Sequence, residues 1–222
     1  MKNFNNYKPK ILVRTILGLT ALLFLIVQLI SNNGSFNLNL LFKEIFKSAV
    51  PVGIILAVFE FYNKTLWKYP LLNRMIQIPN IEGSYSGKLI STHIDFKTKQ
   101  LVSKDCVIEI KQTGTDFSVY GYFAYDDEDE TSSVSESLSY SLLSEGKEKM
   151  ELAYYYINKP RKKRDKYGDL NQHNGSGILC WNKYNPETIN VEYFNKDRNS
   201  KGHIQLTKIS NDLKGKFYRP TN

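Results

Sequence analysis

Residues 81–90 read Ile81-Glu82-Gly83-Ser84-Tyr85-Ser86-Gly87-Lys88-Leu89-Ile90. Apolar or small residues hold the odd positions and polar ones alternate with them, the period of a strand with one buried face. Gly83 and Gly87 share the buried parity, where a missing side chain suits the curvature of a small barrel. The same alternation recurs over residues 106–112, 117–123, 134–140, 150–157, 178–182, 189–194 and 203–209, which makes eight predicted strands. Gln112-Thr113-Gly114-Thr115 is a tight hairpin signal, and residues 182–186 and 197–202 are polar loops. Short joints make sequence neighbours antiparallel. Eight such strands must hide two edges, and closure removes both. The expected fold is a compact eight-stranded antiparallel β-barrel; a β-sandwich is the alternative, because it shares the same periodicity.

Upstream the composition changes. Residues 11–30 carry one charge, Arg14, and twenty helical residues reach about 30 Å, the thickness of a bilayer core. Residues 45–62 form a poorer second stretch that is long enough only if Lys47 and Glu60 reach towards the interfaces. Pro51 and Gly53 are tolerable there if neighbouring helices satisfy the freed backbone groups. Competing readings are a signal peptide over residues 1–30, which lacks a small-x-small cleavage site, and a buried core helix over 45–62. Lys2, Lys8, Lys10 and Arg14 lie ahead of the first stretch's centre and Lys64, Lys68 and Arg74 follow the second, while residues 31–35 have no charge. The positive-inside bias then places both ends in the cytoplasm. The expected organisation is therefore membrane-anchored all-β: two N-terminal transmembrane helices over residues 1–62, a juxtamembrane linker over 63–78 and a cytoplasmic barrel over 79–222. The expected location is the inner membrane.

Charge is unevenly spread. The chain holds 30 basic and 22 acidic residues, and +7 of the net +8 lies in residues 1–78. The basic balance thus reflects membrane-flanking lysines, which removes the main argument for a DNA or RNA polymer as partner and leaves room for a small anion. Cys106 and Cys180 sit in apolar strand contexts and are expected to be free thiols; their count and spacing exclude a disulfide framework and a CxxC metal site.

With two apolar N-terminal segments, the sequence Pro79-Asn80-Ile81-Glu82-Gly83-Ser84-Tyr85-Ser86-Gly87 leading into the first strand and an eight-strand barrel, the chain resembles the two-transmembrane, β-strand-rich (SMODS-associated) effectors of bacterial CBASS antiphage systems. The resemblance implies a barrel that senses a cyclic dinucleotide made by a partner nucleotidyltransferase. It also implies ligand-driven homo-oligomerisation and membrane helices that disrupt the bilayer and arrest growth. No cofactor beyond the activating ligand is implied.

Such a ligand has two flat bases and two phosphates, and calls for aromatic platforms with a few cations or amides. Tyr120, Tyr122, Tyr154, Tyr156, Trp181 and Tyr193 fall on predicted strands, and Asn158, Lys159, Arg161 and Asn182 near strand ends. Barrel core or wall is the competing role for each aromatic. Trp181 stands out because Gly175, Gly177 and Asn182 near it allow close approach of a ligand. Arg219 is placed to pack across Tyr85. The acidic run 126–130 lacks the spacing of a calcium loop, and the basic run 161–164 is either a solvated loop or a phosphate-attracting cap on the barrel mouth. No G-x-S-x-G, P-loop or H-E-x-x-H occurs and His93, His173 and His203 are scattered, so the chain is read as a non-enzyme. Two other readings stay open. A tethered barrel for a lipid or small hydrophobic molecule requires a roomy apolar lumen, and a pure interaction module requires no pocket.

Overall fold

The computed structural model describes residues 7–31, 49–69, 72–76, 78–94, 99–125, 128–145, 148–161, 172–195, 197 and 199–220. Most of the 31–35 turn, residues 126–127 of the acidic run and 162–164 of the basic run lie outside them. The chain forms two units: Met1–Ile78 with Thr113–Asp116, and Pro79–Gln112 with Phe117–Asn222.

The second unit is a closed barrel of eight antiparallel strands in sequence order: β1 Gly83–Ile94, β2 Leu101–Gln112, β3 Phe117–Ala124, β4 Ser133–Glu145, β5 Lys149–Pro160, β6 His173–Asn182, β7 Thr188–Asn195 and β8 Ser200–Ser210. All eight expected strands form, and the sandwich does not. Followed along the pairing, Met150 leads through Trp181, Ile189, Leu206, Gly87, Cys106, Phe123 and Ser133 back to β5 at Pro160, ten residues on. Eight strands with that stagger tilt by about 40°, which gives a lumen that side chains nearly fill.

Inward-facing residues divide the lumen into two zones. Tyr85, Ile110, Leu152, Leu179, Trp181, Ile189, Val191 and Leu206 are all buried and form an apolar floor. Ser84, on the outward parity of β1, is also buried, because its hydroxyl donates to the Asp212 carbonyl where the C-terminal tail crosses the strand. That tail closes an outer cluster in which Phe217 covers Val107, Tyr122 and Ala124. Glu109, 2% exposed, accepts from the Lys214 N–H at 2.7 Å and the Gly215 N–H at 3.0 Å. Arg219 is not on Tyr85: it donates to Asp105 at 2.6 Å and Asp129 at 2.8 Å, and Lys208 lies 5.9 Å from the Tyr85 ring instead.

The first unit holds helices α1 Pro9–Ser31 and α2 Ala49–Lys64, two 3-10 turns at Leu66–Lys68 and Asn73–Met75, and a bridge between Tyr7 and Ile76. Tyr7 donates to Asn63 Oδ1 at 3.1 Å and Asn63 Nδ2 donates to Thr115 Oγ1 at 3.0 Å, so buried polar groups pair inside the unit.

The expected transmembrane anchor requires correction. Among the described residues no helix is long and apolar enough to cross a membrane. The 16 residues of α2 span about 24 Å, against roughly 30 Å of hydrocarbon. The helix also keeps Glu60 within it, paired to Lys64 at 3.1 Å one turn on.

Candidate functional site

The last residues of β1, β3, β5 and β7 and the first residues of β2, β4, β6 and β8 lie at one end of the barrel, and there the lumen opens. The cavity has a volume of about 80 Å³. Strand parity decides its lining. The inward set of β1 continues from Leu89 to Ser91 and His93; β2 adds Lys104, β4 adds Ser133 and Ser135, and β5 adds Tyr154, Tyr156 and Asn158. His173 of β6, Tyr193 and Asn195 of β7 and Ser200 of β8 complete the ring.

Three tyrosines owe their positions to glycines directly across the pairing. Tyr154 lies on Gly177, Tyr156 on Gly175 and Tyr193 on Gly202. A Cβ added at Gly177 would meet Tyr154 Cζ at 2.5 Å, at Gly175 Tyr156 Cζ at 2.5 Å, and at Gly202 the Tyr193 hydroxyl at 2.6 Å. Each ring thus fills the space its neighbour lacks, a packing that fixes the aromatic and restores the glycine's missing contacts. Tyr154 and Tyr156 rings lie 5.9 Å apart at an interplanar angle of 42°. Gly175 and Gly177 therefore make room for Tyr156 and Tyr154, not for a ligand beside Trp181.

The lining carries one lysine, two histidines and no carboxylate among its described residues, so its field favours an anion. Lys104 Nζ stands 4.4 Å from the centre of the Tyr125 ring, beside the β3–β4 joint. Burial raises the Tyr154 phenol well above its ordinary pKa, with Tyr156 adding to the effect, so it is a neutral hydroxyl. Asn158 Nδ2, which can only donate, is 3.2 Å from His173 Nε2. The Asn158 Oδ1 and Ser133 Oγ atoms are buried without a hydrogen-bond partner. Orphaned groups in a cavity wall lose water's hydrogen bonds and gain none in return, a cost that a fitting ligand relieves.

Four of the ten residues singled out from the sequence, Tyr154, Tyr156, Asn158 and Tyr193, meet in this cavity, while Lys159 is exposed on β5. Trp181, 2% exposed, belongs to the floor of the lumen, paired with Met150 and Ile189. Tyr120 and Tyr122 point outward from β3 into the cluster around Phe217. Asn182 ends β6, where its Oδ1 accepts from the Tyr184 N–H at 2.8 Å. The Arg161 backbone N–H donates to Ser132, and its charge lowers the Tyr122 phenol against the larger effect of burial, so it lies towards the outer wall. Sequence reasoning passed over Ser91, His93, Lys104, Ser133, Ser135, His173, Asn195 and Ser200. Extending strand parity four residues past Leu89 would have found the first two.

The family model described as Cap15, cyclic dinucleotide receptor domain, matches residues 76–208, more than half of the chain and nearly the whole barrel. That description names a receptor and no reaction. No curated protein matches the chain significantly.

Proposed function

This chain belongs to the Cap15 cyclic dinucleotide receptor family, and we propose on that premise that it is a CBASS effector whose barrel binds a cyclic dinucleotide supplied by a partner nucleotidyltransferase. The observation that carries the reading is the cavity: tilted tyrosines and unsatisfied polar atoms above a filled apolar floor, with one lysine, two histidines and no carboxylate among the described residues of its wall. A lipid-binding barrel needs the reverse, an open apolar lumen. The ligand needs no cofactor: its bases stack on phenols, and its phosphates lie near Lys104, His93 and His173 at the mouth.

The effector step we assign is self-association at the inner membrane, ending in bilayer damage and growth arrest. Two features support it. Pairing of β4 with β3 runs only from Tyr120↔Glu136 to Phe123↔Ser133, so beyond the bulge at Leu138 this strand is paired through β5 among the described residues. Residues 137–144 carry no charge and no proline, the usual protections against strand pairing with another chain. In the first unit, Val13, Leu17 and Leu22 of α1 are 54%, 63% and 53% exposed, an apolar surface suited to lipid contact. The test is a thermal-shift screen of the full chain against cyclic di- and trinucleotides with fatty acids as controls. A shift that grows with the concentration of one cyclic dinucleotide supports the reading; a response to fatty acids alone overturns it. Crosslinking with and without that ligand tests self-association, which an unchanged monomer fraction refutes.

A further inference from the structure

The lumen is asymmetric, and the asymmetry bears on which part of the ligand is read. This step rests on the receptor reading above. An eight-stranded barrel has room for side chains or for one small ligand, and here Leu152, Leu179 and Trp181 seal it below the tyrosines. The two bases of a cyclic dinucleotide are held apart by a rigid macrocycle, so both cannot descend into one such lumen. On one wall, Asn158 and Ser133 lie on adjacent inward-facing strand ends, with Ser135 directly across from Asn158. Asn158 spends its donor on His173, which leaves an acceptor, Oδ1, without a partner. Ser133, only 3% exposed, offers a hydroxyl with no partner either.

We propose that one base of the cyclic dinucleotide enters the lumen and is read by Asn158 and Ser133, while the second base stays at the mouth and is not discriminated. The inserted base slides between the phenols of Tyr154 and Tyr193, and a small rotation of each polar side chain turns its free atom towards it. Asn158 Oδ1 accepts from a base N–H and the Ser133 hydroxyl donates to a neighbouring ring nitrogen or carbonyl. Every base carries a donor beside an acceptor, so what is read is their order and position along the edge that meets these two side chains. The two atoms give up their unsatisfied state only when the donor falls opposite Oδ1, and a base that presents the two groups in reverse order leaves Oδ1 facing a lone pair.

The experiment is calorimetric titration of the full chain with cyclic di-AMP, cyclic di-GMP, cyclic di-UMP and the three mixed dinucleotides. In the wild type, mixed ligands that carry one preferred base are expected to bind within about threefold of the homodinucleotide that carries two, and ligands lacking it about 5- to 150-fold more weakly. Asn158→Leu is expected to compress the whole panel to within about threefold. Ser133→Ala weakens the preferred ligands without lowering Tm, because it removes a buried hydroxyl that has no partner to lose. A homodinucleotide more than about tenfold tighter than every mixed ligand means that both bases are read and overturns the proposal, while the receptor reading stands. So does an unchanged ranking in Ser133→Ala and in a folded Asn158→Leu. Should the wild type bind none of the six, the receptor reading fails and this inference falls with it.

Discussion

Gly177→Ala tests the packing that shapes the cavity. The new methyl would stand 2.5 Å from Tyr154 Cζ and 2.6 Å from its Cε1 and hydroxyl, about 1 Å inside ordinary contact. The ring has little room to retreat, since Tyr156 lies 5.9 Å away on the same strand and the lumen floor lies below. Overpacking of this kind costs about 1–3 kcal/mol. Replacing glycine returns less than about 1 kcal/mol through the unfolded chain. The net loss of about 1–2 kcal/mol should lower Tm by about 3–8 °C for a barrel of this size. Cyclic dinucleotide affinity should fall with it, because the displaced phenol enters the ligand's space. The assay is a double-mutant cycle by calorimetric melting of the full chain: wild type, Gly177→Ala, Tyr154→Ala and both together. The clash vanishes once the ring is gone, so the double variant should be more stable than additivity allows by about 1 kcal/mol or more. A cycle additive to within about 0.5 kcal/mol would refute the ring-on-glycine account.

Glu109→Ala strands the Lys214 and Gly215 N–H groups that this buried carboxylate caps, and should cost about 1–3 kcal/mol while exposing the tail to limited proteolysis; a tail still resistant to protease would contradict its role as anchor. Stability should decline in alkali. Burial raises Tyr85 and Tyr154 above their ordinary values and Cys106 to about 12. These groups are neutral when protonated, so the unfolded chain releases protons first and unfolding becomes easier as pH rises above about 9. Urea midpoints at pH 7, 9 and 10.5 should fall in that order, and a flat series would count against the burial assigned to them. The same thiol, which donates to the Gly87 carbonyl at 3.3 Å inside the lumen, should resist maleimide at pH 7.5 until the barrel is unfolded; rapid labelling of the native chain would show the lumen to be open at that depth.

The number, order and pairing of the strands were legible in the sequence, because half-buried strands must alternate and short joints must make antiparallel neighbours. Ile81 to Leu89 shows this, as do the hairpin at Thr113 and Gly114 and the buried alternation of Leu152, Leu179 and Val191. What failed was length. Every strand that feeds the cavity runs further than its apolar alternation, as β1 does to Ile94, β5 to Pro160 and β6 back to His173. In those extensions both faces are polar, one towards solvent and the other towards the lumen, so periodicity vanishes where the site begins. The apolar N-terminal stretches misled in another way: among the described residues no helix is long and apolar enough to cross a membrane, and the 16 residues of α2 include Glu60, paired to Lys64. Four residues of the cavity wall were legible because aromatic and amide side chains advertise themselves. Ser91, Ser133 and Ser200 do not, and only the ten-residue stagger of the closed barrel brings them to one ring.

Composition and period alone thus determined eight antiparallel strands in sequence order, while closure, whose periodicity a sandwich shares, was decided by the tertiary structure. Tertiary structure decided which of its many aromatics face inward, because parity and stagger must agree around all eight strands before any lumen position is defined. It also decided the purpose of the glycines: Gly175, Gly177 and Gly202 look interchangeable along the chain, and each acquires its role from the tyrosine set opposite it by the neighbouring strand.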